Sequence, residues 1–319
     1  MDTAVVGFSA IAPALVLLAY GIAKGRTDWR HRALWLAFVM GAVAATTALA
    51  AEQILQRVWN LHEFAPVWRA AMLAVAGAAI PEETVKFIVL VGLAERHETT
   101  RRRQESGGRA LAVSLGFAGL ENLIYVATPQ DWQSVALTRA LTAVPGHGID
   151  GLAMGALVTL ARLSDNHRLG LRWLAWAVPV GIHAAFDFPL FGLLADPAAK
   201  WPLLVWPAVA AAGAILAVRL SNWALRIAAD ADHRSGADRR PVLATSTMAA
   251  CGWMLLVVSP CLAGALMLLQ DLQFKWGGAG LSILPAILGI DLIRTSTRRR
   301  RAAARAMATG LIRQPGTTG

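Results

Sequence analysis

The sequence predicts an all-α, polytopic bundle of transmembrane helices. Three observations predict it: a composition too apolar for a water-soluble domain, apolar runs of membrane-spanning length, and basic residues gathered in alternate loops between those runs. Hydrophobic residues make up 56% of the 319-residue chain and charged residues 16%, against about a quarter charged in an average soluble domain. Mean hydropathy is +0.50. The formal charge of +10 would point to a nucleic-acid partner in a soluble protein, but here the arginines lie in loops between apolar runs.

A helix needs about 20 apolar residues to cross ~30 Å of hydrocarbon. Runs of that kind occupy residues 3–23, 33–55, 67–94, 110–127, 141–161, 173–194, 201–218, 243–269 and 277–293, about nine spans. The first is no cleavable signal by its pattern. Asp2 replaces a basic start, and the run ends in Lys24 and Arg26 without an A-x-A site, so it is expected to remain as a helix.

Charge supports the layout. Twenty-four basic residues follow spans one, three, five, seven and nine, and only Arg57, Arg69, Arg139, Lys200 and Lys275 occupy the other loops. Lys86 alone lies within a span. The positive-inside rule then puts the N-terminus outside and the C-terminus in the cytoplasm. The excess of arginine over lysine suggests a GC-rich bacterial genome, so a bacterial plasma membrane is the expected location. The arginine run 298–301 reads as a juxtamembrane tail facing anionic lipid, so the lipid bilayer and no nucleic acid is the expected partner. Cys251 and Cys261 share one apolar run ten residues apart and read as buried thiols, with neither a disulfide framework nor metal spacing. Three segments follow: two N-terminal helices over 1–65, a four-helix core over 66–195, and C-terminal helices with a basic tail over 196–319.

An ionisable side chain at the centre of a spanning helix costs about 2.5–3.5 kcal/mol on insertion scales, so each needs a reason. They concentrate in spans three to six: Pro81, Glu82, Glu83 and Lys86; then Glu121 and Asn122; then His147 and Asp150; then His183 and Asp187. Glu52, near the end of span two, reads as interfacial. At 1.5 Å of rise per residue, Glu82, Glu121, His147 and His183 stand roughly 21, 18, 22 and 16 Å above Arg96, Arg109, Arg162 and Arg172, the arginines that bound their helices. Two carboxylates and two imidazoles from four helices therefore share one layer.

Local spacing supports one site. Glu82 and Lys86 are four apart and share a helix face, so the ammonium can neutralise the carboxylate. His183 and Asp187 repeat the spacing, which lets the carboxylate orient the ring. Pro81 cannot bond to the Gly77 carbonyl, so a kink is expected before the glutamates, with water able to reach Glu82. Gly151 and Gly155 suit close helix approach beside His147. Arg139, just before span five, reads as an interfacial anchor.

The segment Pro81-Glu82-Glu83-Thr84-Val85-Lys86-Phe87 resembles the EExxK motif of PrsW-type intramembrane proteases, relatives of the wider CPBP group that includes CAAX prenyl endopeptidases. Phe117-Ala118-Gly119-Leu120-Glu121-Asn122 resembles their FxxxEN motif. Arg139 with Pro145-Gly146-His147 is similar to their third motif, and His183-Ala184-Ala185-Phe186-Asp187 to their HxxxD. Each is weak alone; four in order on consecutive spans are specific. The likeness covers about residues 66–195. The wider group carries an arginine where this chain has Phe87, so Lys86 favours the PrsW branch. Asp150 falls outside the family pattern.

The resemblance implies hydrolysis of peptide bonds in or beside the membrane, with single-span membrane proteins such as anti-sigma factors as substrates. The expected roles give Glu82, or Glu83 in its place, as general base, balanced by Lys86. His147 and His183 polarise the scissile carbonyl or hold the water, Asp187 and Asn122 orient them or face the oxyanion, and Glu121 completes the layer. Two chemistries stay open: a glutamate-type protease, or one divalent metal, zinc, on Glu121, His147 and His183 with a fourth position for water. No H-E-x-x-H or G-x-S-x-G pattern is present. Two functions of other classes compete: a proton- or ion-coupled transporter, which also uses mid-membrane acids and histidines, and a non-catalytic scaffold.

Overall fold

The computed structural model describes residues 3–23, 32–59, 64–96, 105–127, 131–164 and 166–234, with a few positions between 290 and 301. The described residues are helical, with no strand among them. In order they form α1 (Thr3–Ala23), α2 (Arg32–Val58), α3 (Pro66–Met72), a π-helical segment (Leu73–Ala79), α4 (Ile80–Arg96), α5 (Glu105–Ala127), α6 (Trp132–Leu141), α7 (Ala143–Leu163), α8 (Arg168–Ala195) and α9 (Trp201–Arg234). One compact unit consists of Met1–Gly21 with Arg26–Arg239. The other, Ile22–Gly25 with Arg240–Gly319, lies almost wholly outside the described residues. The last two expected spans, with Cys251 and Cys261, fall there.

Among the described residues, five stretches are long and apolar enough to cross a membrane: Val5–Ala23, Arg32–Leu55, Ser106–Ala127, Arg168–Ala195 and Trp201–Ala224. The expected spans 67–94 and 141–161 are helical too, but they are not among these five. The first is divided into α3, the π-helical segment and α4, none of which is long enough by itself, and the second carries His147 and Asp150, which lower its apolar character. The 141–161 stretch is buried along most of its length, whereas the 67–94 stretch turns Trp68, Val75 and Ile88 outward. α9 runs on through Arg219 and Arg226 to Arg234, beyond the predicted end at 218, because an arginine ends an apolar run without breaking helical hydrogen bonding.

Helix α5 is central. It packs against α2, α7, α4 and α6, while α7 packs against α5, α8 and α9. Small residues make the approach possible: Gly41 of α2 lies against the Val113 backbone and Gly116 of α5 against the Phe38 backbone, so neither site has room for a Cβ. On the other side of α5, Gly151 meets Ser114 and Gly155 meets Ala110 and Gly107. Close contact of this kind drives helix association where lipid leaves little hydrophobic gain.

Leu90, Ala110, Met154, Leu157, Leu160, Ala175 and Ala224 join α4, α5, α7, α8 and α9 in one cluster. Ala44, Ala45 and Ala48 of α2 pack with Phe117 and touch Val85 and Val89. Outward-facing Phe8, Val39, Val43, Ile88, Leu203, Leu204 and Trp223 are exposed. The bundle thus turns large apolar side chains outward while small and apolar residues fill most of its interior.

The expected kink before the glutamates takes a specific form. α3, the π segment and α4 follow one another without interruption from Pro66 to Arg96, and the Ile80 N–H bonds to the Val75 carbonyl five residues back. The wide turn lies directly before Pro81, which lacks the N–H an α-helical continuation would use. π turns of this sort recur beside functional sites. At the start of the rod, the Arg69 guanidinium donates to the Ala195 carbonyl at 3.0 Å, tying α3 to the end of α8.

Candidate active site

The polar residues of α4, α5, α7 and α8 meet in one buried layer. Glu83, Lys86 and Asn122 are fully buried, and Glu82, Glu121, His147, Asp150 and His183 are each less than a tenth exposed. Lys86 stands at the centre of one half. Its ammonium donates to Glu83 Oε1 at 2.7 Å and to Glu82 Oε2 at 3.3 Å, and lies 2.9 Å from His147 Nδ1. The ammonium also sits over the Phe117 ring at 4.1 Å, so the phenylalanine that opens the second motif forms the apolar wall behind the charge. Lys86 therefore pairs with both glutamates, more closely with Glu83 than with the expected Glu82.

His147 links this half to α5. Its Nε2 is 2.8 Å from Glu121 Oε2, and Arg139 Nη2 is 2.8 Å from that same oxygen. Arg139 Nε donates to Asn122 Oδ1 at 2.8 Å, and the guanidinium stacks 3.9 Å over the Tyr125 ring. The guanidinium thus pairs by charge with a carboxylate through Nη2 while Nε hydrogen-bonds an amide, two partners at separate nitrogens that a single ammonium does not offer. Arg139 is thus part of the site rather than a surface anchor. Its inclusion in the third motif was the signal; position alone suggested the interface.

Asn122 takes a different place from the expected one. Its Nδ2 donates to the Ala10 carbonyl of α1 at 3.4 Å while Oδ1 accepts from Arg139. The side chain braces Arg139 and α1.

His183 organises the other half. Nδ1 is 2.8 Å from Glu83 Oε1 and 3.6 Å from Asp150 Oδ2, and Nε2 is 3.2 Å from Asp187 Oδ2. The i, i+4 pair on α8 thus meets as its spacing predicts. The His147 and His183 rings pack edge to face at 5.3 Å. Trp176 donates its indole N–H to Thr84 Oγ1 at 2.9 Å and joins α8 to α4 beside Glu83.

Glu52 departs from its interfacial reading. Ala44, Ala45 and Ala48 turn one face of α2 toward α4 and α5, and Glu52 continues that face one turn on. It lies within electrostatic reach of Glu121, His183 and Lys86, and its Oε1 is buried without a hydrogen-bond partner.

Glu82, Glu83, His147 and His183 each offer one ligand atom, and all four atoms lie within 4.8 Å of one another. Two carboxylates and two imidazoles suit a divalent transition metal, above all zinc. Glu83 Oε2, fully buried and unpartnered, is a further free donor, so the residues fit such an ion. Glu121, expected from sequence as a ligand, is not in this group. It is engaged by Arg139 and by the far nitrogen of His147, the arrangement of an outer carboxylate that orients a ligating imidazole.

Comparison with known proteins gives this constellation a family. Over residues 30–215 the chain matches the family described as PrsW family intramembrane metalloprotease. Protease PrsW of Oceanobacillus iheyensis is 27% identical over 195 residues, 61% of this chain and 87% of that protein. Protease PrsW of Halalkalibacterium halodurans is 29% identical over 184 residues, 56% and 80% of the two chains, and that of Bacillus subtilis is 28% identical over 187 residues, 57% and 81%. No solved structure matches the chain. The family match runs from α2 into the first half of α9, more than half the chain and every residue of the polar layer, and the chain belongs to the PrsW family of intramembrane metalloproteases.

Proposed function

We propose that this chain is an endopeptidase of the bacterial plasma membrane, with its N-terminus outside and C-terminus in the cytoplasm, that cuts single-span membrane proteins, anti-sigma factors among them, by activated water. The observation that supports this most is the convergence of four ligand atoms, from three helices, within 4.8 Å inside an apolar shell. Glu83, His147 and His183 would hold the metal, three protein ligands with a position left for water. When bound, the ion supplies Lewis acidity to the water and the scissile carbonyl.

The chain's own residues do the rest. Glu82 is the general base: it is less buried than Glu83 and held by one longer bond to Lys86, so it is the freer of the two to take a proton. The deprotonated water attacks the carbonyl carbon and a tetrahedral oxyanion forms. Collapse breaks the C–N bond, and the proton on Glu82 passes to the leaving amine. Lys86 balances the negative charge through these steps. Asp187 on Nε2 of His183, and Glu121 on Nε2 of His147, fix the two rings. Arg139 fixes Glu121 in turn.

Purified protein incubated with candidate single-span substrates tests the reading. Wild type is expected to cleave, with chelator abolishing turnover and zinc restoring it. Glu82→Gln and His183→Ala are expected to lose at least about 100-fold in kcat, the lower range for loss of a general base, while staying folded. Cleavage that survives both changes refutes it. Ion uptake by reconstituted vesicles without proteolysis would replace it with transport.

A further inference from the structure

Asp150 lies outside the four motifs, yet it is buried in the same layer at 2% exposure. It stands one turn beyond His147 on α7, and the next residue, Gly151, is pressed against Ser114 and Ala110 of α5, which holds this part of the backbone in place. Its contacts are on the His183 side. Oδ2 is 3.6 Å from His183 Nδ1, beyond a hydrogen bond, and Glu83 and Lys86 are within electrostatic reach. Oδ1 is buried with no hydrogen-bond partner.

His183 defines which side of its ring matters. Nε2 is occupied by Asp187 at 3.2 Å, the relation of an outer carboxylate to a ligating imidazole. Nδ1 is then the nitrogen turned to the ligand group, and it faces Glu83 Oε1 and Asp150 Oδ2 together. Glu83 Oε2 and Asp150 Oδ1 are both buried and unpartnered. An unpaired carboxylate oxygen away from water is costly unless something positive reaches it.

We propose that Asp150 is a further ligand arm of the metal site, joining Glu83 and His183 around a divalent cation on the Nδ1 side of His183. The inference rests on the metal-dependent reading above and adds a residue to it. A hard carboxylate oxygen beside an imidazole suits zinc or manganese better than a monovalent ion. The carboxylate replaces the apolar residue that an α7 position packed between helices would otherwise carry.

The test uses the full-length protein purified in detergent, with zinc itself as the probe. Zinc affinity is read by competition with a chromophoric chelator, and the ligand field by the visible spectrum of the cobalt(II)-substituted protein. Asp150→Asn, which keeps shape and drops the charge, is expected to weaken zinc at least about 10-fold, the lower end of the loss seen even for outer partners, and to alter the cobalt spectrum. Asp150→Ala gives the same readout should the Asn variant misfold. Unchanged affinity and an unchanged spectrum in a folded variant overturn the proposal, as does a wild type that takes up no divalent ion. A wild type that binds zinc through Asp150 but cuts no substrate overturns the protease reading and leaves this one standing.

Discussion

Replacing Lys86 by Met removes the charge at the centre of the layer while keeping an unbranched apolar stem of similar length. The ammonium makes two charged bonds to glutamates, at 2.7 and 3.3 Å, and a third contact to His147 at 2.9 Å, all out of solvent. Breaking a buried ion pair from one side costs about 3–5 kcal/mol, because the other charge is left uncompensated. Two carboxylates are left here, so the upper part of that range is expected for the metal-free protein. The double variant Glu83→Gln with Lys86→Met removes one of the stranded charges and should be more stable than Lys86→Met alone, which a double-mutant cycle on denaturant unfolding in detergent would measure. The same geometry gives an opposite sign for metal. The ammonium touches Glu83 and His147, two of the three residues assigned to the ion, so Lys86→Met should bind zinc more tightly by about 10-fold or more, the factor that 1.4 kcal/mol of relieved repulsion would give, although its turnover falls. Equal stability of Lys86→Met and wild type without metal, or weaker zinc binding in the variant, would refute an ammonium seated among these donors.

Arg139→Lys keeps the charge but cannot grip Glu121 and Asn122 at once; kcat should drop about 10-fold with KM unchanged, as for loss of an outer partner of a ligating histidine, and wild-type turnover would show that charge alone suffices. Gly116→Ala sets a methyl group against the Phe38 backbone and should destabilise by about 1–3 kcal/mol through overpacking. Gly119→Ala, on the same helix with nothing nearer than 3.8 Å, should be neutral or gain up to about 1 kcal/mol of helix propensity, so equal unfolding midpoints for the two variants would contradict the α2–α5 contact.

The convergence of these side chains was legible in sequence because membrane burial makes ionisable residues expensive, so Glu82, Glu121, His147 and His183 at matching heights needed a common reason. Runs of apolar residues placed the helices well: 3–23 became Thr3–Ala23 and 173–194 falls inside Arg168–Ala195. Pairings between helices were less legible. Arg139 lies 17 residues from Asn122 in sequence, and nothing in local spacing says which acid an arginine at the end of a run will meet. Distance from the end of its run puts Glu52 at the interface, whereas the face of α2 set by Ala44, Ala45 and Ala48 decides its direction. Pro81 announced a missing bond, but whether the chain answers with a bend or a π turn depends on backbone register that composition does not encode. Glu83 in place of Glu121 among the closest ligand donors follows from that turn and from the Arg139 bridge, two features visible only in three dimensions.

Charge balance ties these features together. Glu52, Glu82, Glu83, Glu121, Asp150 and Asp187 supply six carboxylates in and beside the layer, and Lys86 and Arg139 supply two permanent cations. With neutral imidazoles and every carboxylate ionised the group would carry four uncompensated negative charges where the surrounding helices turn apolar faces outward and counter-ions are kept away. Protons or a divalent cation must make up the difference. Glu83 and Asp150 keep free oxygens on the His183 side, where the proposed cation would sit, while Lys86 bridges Glu83 at 2.7 Å and Glu82 at 3.3 Å beside it. On the proposed reading, base and metal would then use neighbouring but distinct carboxylates, Glu82 and Glu83, as activation of a water between them requires.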